Sequence, residues 1–391
     1  MVVGFSSAAN FANVNLTGEA RVGVVSQWLQ TPPGKRDFEI TQERSRPVLV
    51  GDILYAANLS GEVYAIHRTG GYRLWERKFE TGIEGALTYG RSKLVVGDLN
   101  GNLIALNARD GSDSWRFKIS AEWLSPPAIS KDRVYAATSN DELYALTEAQ
   151  GKEIWHYSHR GDEKMTVRGT GGPVVFGSEV YQGFSNGDIV SLSANNGKVL
   201  WVKKLRSKER FYDVDMTPVV DEKSVIVGTF DGKLYDLDRL SGSVNWIFPT
   251  GSYGGGLIED NRFYFSGLDG YFYCLDRMHG HLIWKTAFKQ GVGLTPARAG
   301  EHLVISTSGD PVYVLNPKNG EILWTGNLGT GTLTSAVGTA DGWFYVLSNY
   351  GNLYSFEIQK NTKQLRAPET VLTPAAVLRD FAKPNPNRYG S

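Results

Sequence analysis

Gly61–Trp75 reads GEVYAIHRTGGYRLW, and variants of this 15-residue phrase occur eight times along the chain. Most copies share a first Gly or Asp, an apolar Tyr-small-Leu segment, a second Gly and a final Trp. The copies begin at Gly61, Gly101, Asp141, Gly187, Gly232, Gly270, Asp310 and Gly351, which are 40, 40, 46, 45, 38, 40 and 41 residues apart. A period of this length indicates one structural unit repeated around a ring or along a solenoid.

Each phrase predicts a β-hairpin. Alternating apolar residues such as Val63 and Ala65 are typical of a strand, and the second Gly supplies the positive φ that a tight turn requires. Two further apolar runs precede the phrase, as Arg46–Val50 and Ile53–Ala57 do in the first repeat. Four strands in about 40 residues are typical of a propeller blade. Eight phrases therefore predict eight blades.

The last repeat is degenerate, and the N-terminus offers a replacement for what it lacks. Gly351–Leu365 (GNLYSFEIQKNTKQL) has lost the second Gly and the Trp, whereas Val22–Gln30 (VGVVSQWLQ) contains Trp28 without a hairpin before it. We expect this N-terminal strand to close the last blade, with Trp28 in the position that Leu365 leaves unfilled. The sequence thus predicts an all-β, eight-bladed propeller of antiparallel four-stranded blades over 22–358.

We expect 1–21 to be a tail or linker and 359–391 to be a mostly flexible tail. A length of 391 residues alone would suggest two or three domains of about 150 residues. Blades lengthen a ring without enlarging a central core, so the repeat predicts one domain instead.

Composition excludes several classes of function. The 41 basic and 41 acidic residues cancel, which argues against nucleic-acid binding and against a polybasic membrane contact. No apolar run approaches the ~20 residues of a membrane-spanning helix. The one cysteine, Cys274, allows neither an intramolecular disulfide nor a cysteine-rich metal site.

The residues that carry chemistry elsewhere have structural interpretations here. A Trp repeated once per blade is expected to pack between blades, although an aromatic cage for a ligand is the alternative. Cys274 occupies a small-residue core position, and we expect His156, His159, His279 and His281 to be solvated. No catalytic constellation, metal site or cofactor site is predicted.

The two longest repeat spacings place insertions on one face, between blades 3 and 4 and between blades 4 and 5. They are His159–Gly172 (HRGDEKMTVRGTGG) and Lys204–Thr217 (KLRSKERFYDVDMT). Insertions that gather on one face of a repeat protein often form its binding surface, and an apolar centre ringed by charges is typical of a protein contact. Solvated loops are the alternative. The candidate contact residues are Met165, Val167, Arg168, Asp213 and Asp215.

The phrase resembles the pyrroloquinoline-quinone-type repeat, which is shared by quinoprotein alcohol dehydrogenases and by the non-enzymatic BamB family. Two segments favour BamB: KMTVRG (Lys164–Gly169) and YDVDMTPVV (Tyr212–Val220) resemble the loops through which that family binds the periplasmic repeats of BamA. The resemblance implies a cofactor-free scaffold of the outer-membrane β-barrel assembly (BAM) complex. It also implies that Met165 and Val167 make apolar contacts and that Arg168, Asp213 and Asp215 make polar ones.

The same resemblance implies a periplasmic location at the outer membrane. The start MVVGFSSAAN has no charged segment and no early cysteine, so we expect the lipidated cysteine of the family to precede this chain. Nascent outer-membrane proteins are further candidate partners. A quinone-dependent alcohol dehydrogenase is the alternative, but Cys274 alone cannot form the adjacent cysteine pair of those enzymes. A scaffold or ligand sensor of another periplasmic complex is a third possibility.

Overall fold

The chain folds as an eight-bladed β-propeller, as the repeat predicts. The computed structural model describes residues 22–30, 45–85, 87–159, 171–205, 213–214, 216–229, 232–328, 333–349 and 351–359. Within these ranges every regular element is a strand, and the strands form eight antiparallel sheets of four. Of the segments predicted as tails, 1–21 and 359–391, residues 1–21 and 360–391 lie outside the described residues, whereas Gln359 is the last residue of the final strand. None of the described elements is a helix with the length and apolarity to cross a membrane.

The strands follow the phrase closely. The N-terminal strand and the first four blades are β1 (Gly23–Gln30); β2 (Val48–Val50), β3 (Ile53–Ala57), β4 (Glu62–His67), β5 (Arg73–Lys78); β6 (Thr88–Gly90), β7 (Lys93–Gly97), β8 (Asn102–Asn107), β9 (Asp113–Lys118); β10 (Ala128–Ser130), β11 (Arg133–Ala137), β12 (Glu142–Thr147), β13 (Glu153–Ser158); β14 (Val174–Phe176), β15 (Glu179–Gly183), β16 (Asp188–Ser193) and β17 (Val199–Lys204).

The remaining strands are β18 (Val219–Val220), β19 (Ser224–Thr229), β20 (Lys233–Asp238), β21 (Val244–Phe248); β22 (Ser252–Glu259), β23 (Arg262–Gly267), β24 (Tyr271–Asp276), β25 (Leu282–Ala287); β26 (Ala297–Ala299), β27 (His302–Ser306), β28 (Pro311–Leu315), β29 (Ile322–Asn327); β30 (Val337–Gly338), β31 (Trp343–Leu347) and β32 (Leu353–Gln359). Blades 1 to 7 each contain four consecutive strands, and blade 8 has the order β1-β32-β31-β30.

The core lies between neighbouring blades, around the second and third strands of each. These strands are buried on both faces, as Val63, Tyr64 and Ala65 of β4 are. Side chains of blades 1 and 2 share one apolar cluster that includes Tyr55 and Leu94. Each blade therefore excludes water only in contact with its neighbours, which is why the ring must close.

The N-terminal strand closes the ring as predicted. β1 pairs antiparallel with β32 in a register that runs from Gly23 opposite Gln359 to Gln30 opposite Leu353. Trp28 packs against Tyr345 of blade 8 and donates its indole N–H to the Arg68 carbonyl of blade 1 at 2.8 Å. The residue that the eighth phrase lacks is thus supplied from the other end of the chain.

The repeated Trp and the hairpin Gly form one contact, made between blades. In seven junctions the indole N–H donates to a carbonyl at the hairpin of the next blade, at 2.8–3.3 Å. The hairpin Gly lies under that indole, so that a Cβ would come within 3 Å of the ring; the glycines are Gly71, Gly111, Gly151, Gly197, Gly242, Gly280 and Gly320. All seven have positive φ. The packing interpretation of the tryptophans is confirmed.

The junction between blades 7 and 8 departs from this rule. Trp324 is buried, yet its indole N–H has no hydrogen-bond partner among the described residues. Its ring lies over Gly326, where a Cβ would overlap it, and packs near Phe344 and Phe356. The described part of blade 8 contains no glycine hairpin after β32, so at this junction aromatic packing replaces the bond from the indole to a hairpin carbonyl.

Candidate functional site

The predicted binding face comprises the connections from β13 to β14 and from β17 to β18. The structure describes only their ends, residues 159, 171–173, 205, 213–214 and 216–218. Met165, Val167, Arg168 and Asp215 lie outside the described residues. Of the five candidate contact residues, the structure therefore places Asp213 alone.

The two connections meet where they enter their next blades. The backbone N–H of Gly172 donates to Thr217 Oγ1 at 3.0 Å, which joins the end of the first connection to the end of the second. Gln182 of β15 donates to the Gly171 carbonyl at 3.0 Å. The described ends of the two insertions thus lie side by side, as their position between outer and inner strands predicts.

The described end of the second connection is an internal element. Val214 and Met216 are 2% and 0% exposed, and the Val214 side chain fills the space beside Gly183. The backbone N–H of Val214 donates to the Phe184 carbonyl at 3.3 Å. Asp213 is only 3% exposed. Its carboxylate therefore lies within the fold rather than on an open surface in this structure.

A polar cluster that the sequence did not reveal fixes the start of the first connection. His159 Nε2 lies 3.0 Å from Asp188 Oδ2, and His159 Nδ1 lies 2.8 Å from the Tyr157 hydroxyl. Asn186 donates to the same carboxylate at 3.0 Å, and the His159 ring packs 4.5 Å from Phe184. The expectation of a solvated His159 is wrong, because the turn between β15 and β16 of the next blade encloses it and leaves its side chain 15% exposed.

The residues of this cluster lie far apart in the sequence, so no local pattern indicates it. His159 is the first residue after β13, and Phe184, Asn186 and Asp188 lie 25 to 29 residues later, in the next copy of the repeat. Only the packing of blade 3 against blade 4 brings them together. His156, His279 and His281 differ from His159, since they lie on exposed strand or turn surface; the His279 side chain is 71% exposed.

The described residues offer little for catalysis or for metal binding. No group of three His, Cys, Asp or Glu side chains within them could hold a metal ion. Cys274 is fully buried, and burial raises the pKa of its thiol to about 11, which opposes a reactive thiolate. It is the core residue that its position in the phrase predicts.

The most buried charges tie blades together. Arg277 of blade 6 contacts Asp236 at 2.5 Å and Asp221 at 2.6 Å, both in blade 5. Burial raises the pKa of Asp236, although Asn245 and Arg277 oppose this effect. Because Arg277 and Asp236 are both buried and paired, the structure gives them a packing role.

The sequence model of the family described as outer membrane protein assembly factor BamB matches residues 59–286 and 280–384. The chain belongs to the BamB family. Its relatives include the BamB of Xanthomonas campestris, 28% identical over 357 residues that cover 87% of each chain. The BamB of Escherichia coli is 26% identical over 79% of this chain and 83% of that protein. This BamB-family chain therefore spans most of the length of both relatives.

Solved structures agree on the fold. The crystal structure of BamB from Moraxella catarrhalis superposes with a TM-score of 0.73 at 22% identity, over 86% of this chain and all of that one. A europium-containing methanol dehydrogenase superposes with a TM-score of 0.72 at 14% identity, over 85% of this chain and 93% of that one. Since both identities are low, these likenesses show the propeller fold alone.

Proposed function

We propose that this chain is a non-enzymatic scaffold subunit of the outer-membrane β-barrel assembly machinery and that it binds the periplasmic repeats of BamA. Membership of the BamB family supports the assembly role. The observation that supports the binding site is the 3.0 Å bond from Gly172 to Thr217, because it ties the described ends of the two connections together. We place the protein on the periplasmic face of the outer membrane, held by a lipid anchor.

The five candidate residues divide into two kinds in this proposal. Met165 and Val167 supply the apolar centre, while Arg168 and Asp215 supply charges around it. Asp213 is a positioning residue, because it is buried beside Val214, whose backbone N–H binds the Phe184 carbonyl. Asp213 would then act on binding through the shape of the second connection.

Calorimetric titration with the isolated periplasmic repeats of BamA tests the contact residues. Arg168→Ala and Asp215→Ala are each expected to weaken binding by roughly 1–3 kcal/mol if they are central anchors. Arg109→Ala is the matched control, since Arg109 is exposed on the turn between β8 and β9 of blade 2, on the opposite face. Unchanged affinity in both contact variants would remove this surface from the proposal.

Asp213→Asn tests the positioning role. The variant is expected to weaken BamA binding and to lower the urea midpoint together, since a buried carboxylate that loses its interactions loosens the connection. A loss of affinity at an unchanged urea midpoint would instead make Asp213 a direct contact.

The shared propeller makes a quinone-dependent alcohol dehydrogenase the activity to test. Cys274 is the one cysteine of the chain, so an adjacent cysteine pair of the dehydrogenase kind is not available. We expect no turnover in a dye-linked alcohol assay after incubation with the quinone and Ca²⁺. Turnover above that of the untreated protein would refute the scaffold proposal in favour of the dehydrogenase. Co-purification of a different periplasmic complex, without BamA, would assign the scaffold elsewhere.

A further inference from the structure

Two residues of blade 3 depart from the pattern of the repeat, and both lie at the junction with blade 4. The first is His159, which directly follows the outer strand and has a side chain only 15% exposed. The residue after the outer strand is apolar at the six other junctions where the structure describes it: Phe79, Ile119, Leu205, Pro249, Phe288 and Leu328. A largely buried ionisable ring therefore stands where these junctions have an apolar side chain.

The second departure is Asp141, the first residue of the third copy of the phrase. Six of the eight copies begin with Gly, whereas Asp141 has a positive φ of +56°. Asp310 in blade 7 is the other exception, with φ +87°. Residues other than glycine that are held in this region occur at functional sites as well as in turns. The contacts of Asp141 therefore need to be compared with those of His159.

Both departures contact one turn of blade 4, residues 184–188, which we call the hub turn. The Asp141 carboxylate accepts hydrogen bonds from the backbone N–H of Ser185, at 3.1 Å, and from the Ser185 hydroxyl. His159 Nε2 lies 3.0 Å from Asp188 Oδ2. Blade 3 thus binds the hub turn near both of its ends.

The Tyr157 hydroxyl determines which nitrogen of His159 carries the proton. Burial, and then the charge of Asp188, raise the pKa of Tyr157, so its hydroxyl keeps its proton and donates to His159 Nδ1 at 2.8 Å. The Nε2–H group then donates to the Asp188 carboxylate, and the Asp188 side chain is 4% exposed. Apolar replacements for a buried ionisable pair often leave a protein equally stable or more stable. Stability alone therefore does not explain this pair.

The hub turn joins the two connections that make up the proposed BamA site. The first connection starts at His159, whose backbone N–H donates to the Asp141 carbonyl at 2.9 Å. The second connection ends beside the same turn, because the Val214 N–H donates to the Phe184 carbonyl at 3.3 Å. A shift of the hub turn would therefore move the start of one connection and the end of the other.

We propose that Asp141, His159 and Asp188 are positioning residues, which hold the hub turn in the shape that BamA binding requires without making the propeller more stable. This inference rests on the proposed function, because it concerns the same site. It goes beyond that function in assigning a role in binding to residues inside the junction of blades 3 and 4. The apolar residues at the other junctions show that the repeat can pack without such a pair.

A repeat-like variant tests the pair. His159→Leu with Asp188→Asn installs the residues that the junction of blades 7 and 8 has at these positions, Leu328 and Asn352. We expect a urea midpoint equal to or above that of the wild type, and an affinity for the periplasmic repeats of BamA at least about five-fold weaker in calorimetric titration. Unchanged affinity would overturn the proposal. A lower midpoint together with a lower affinity would also overturn it, since the pair would then serve stability.

Two single variants separate the hydrogen bond from the ring. His159→Gln can still donate to Asp188, whereas His159→Phe keeps a ring against Phe184 but has no donor. We expect His159→Gln to retain more of the BamA affinity than His159→Phe does. Equal affinities, or the opposite order, would overturn the positioning role of the hydrogen bond.

Asp141→Gly tests the second contact, and Asp310→Gly is its matched control in blade 7. Both variants introduce the glycine that the other six copies have, so relief of the positive φ favours folding of both. Only Asp141→Gly removes the acceptor for Ser185, so it should weaken BamA binding by about two- to five-fold while Asp310→Gly leaves binding unchanged. Equal affinities in the two variants would overturn the assignment of Asp141.

Hydrogen exchange distinguishes failure of this inference from failure of the proposed function. The Val214 amide, which binds the hub turn, should exchange about ten-fold faster in the repeat-like variant than in the wild type. The Phe79 amide, which makes the corresponding bond of blade 1 to the Gly61 carbonyl, should not change. Equal exchange at Val214 would overturn the inference whether or not BamA binds. Failure of the wild type to bind BamA would instead overturn the proposed function and the partner named here.

Discussion

Each hairpin glycine is required for two reasons, its positive φ and the indole that lies above it. Gly151 has φ +67°, and a Cβ there would overlap Trp115; Gly177 has φ +63°, with nothing within 4 Å of a built Cβ. Gly177→Ala is expected to lower the free energy of unfolding by roughly 1–2 kcal/mol for the backbone alone. Gly151→Ala should cost roughly 1–3 kcal/mol more, because the indole must move. Urea unfolding of both variants measures the difference, and equal losses would contradict the packing role.

The indole N–H groups give a second comparison between single residues. Trp115 donates to the Glu148 carbonyl at 2.8 Å and is buried, whereas the buried N–H of Trp324 has no partner among the described residues. Trp115→Phe removes a hydrogen bond to a carbonyl that Lys93 still binds at 2.8 Å, so we expect it to cost about 0.5–1.5 kcal/mol more than the loss of ring area does. Trp324→Phe loses ring area only. Urea midpoints should fall further for Trp115→Phe, and the reverse order would refute the bonding scheme.

At the scale of elements, β1 is the closure of the ring. Deletion of residues 1–30 would expose the β32 edge and remove Trp28 from above Gly71. An open apolar edge favours pairing with another copy, so we expect dimers or larger species in light scattering after size exclusion. Deletion of 1–21 alone is the control and should leave a monomer of unchanged urea midpoint. A monomeric, equally stable product of the longer deletion would show that blade 8 does not need β1.

The closing strand also shows which features of the structure the sequence predicts and which it does not. The eight blades and the placement of Trp28 were predictable because each follows from a phrase that is local and repeated. The partner of each Trp was not predictable, because the glycine that the Trp covers lies in the next copy of the phrase. For Trp115 that glycine is Gly151, 36 residues later. His159 was misjudged for the same reason, because its neighbours Phe184 and Asp188 come from another blade. Met165, Val167, Arg168 and Asp215 stay predictions, since they lie outside the described residues.

At the scale of the whole molecule, the ring is held by junctions of unequal chemistry. Cationic side chains cross several of them: Lys93 binds carbonyls of blade 3, Arg262 binds carbonyls of blade 7, and Arg239 pairs with Glu179 of blade 4. The described residues of blades 7 and 8 show no such crossing. That junction has instead the large apolar cluster around Trp324. The ring therefore combines ionic junctions with an apolar one next to its closure.

The junction between blade 8 and blade 1 contains an ion pair, so the stability of the ring should depend on pH. Arg68 of blade 1 contacts Asp341 of blade 8 at 3.0 Å, while its carbonyl accepts hydrogen bonds from Trp28 and Tyr345. The pKa of Asp341 lies below its ordinary value, chiefly because Thr339 donates a hydrogen bond to the carboxylate. Partial burial raises this pKa, but the hydrogen bond and the positive charge of Arg68 lower it again. A carboxyl whose pKa is lower in the folded than in the unfolded chain stabilises the fold fully above its unfolded pKa of about 4, and this contribution is lost as the pH falls through the folded pKa.

Asp341→Asn is therefore expected to flatten the acid side of the stability profile. Between about pH 5 and about pH 2, the urea midpoint of the wild type should fall more than that of the variant. The Asp341 side chain is 51% exposed, so the difference above pH 5 should be modest, about 0.2–1 kcal/mol. It should also shrink at roughly 0.5 M salt, because exposed ion pairs are screened. Parallel profiles at low salt would mean that the ring is closed by Trp28 and the β1–β32 pairing without help from this ion pair.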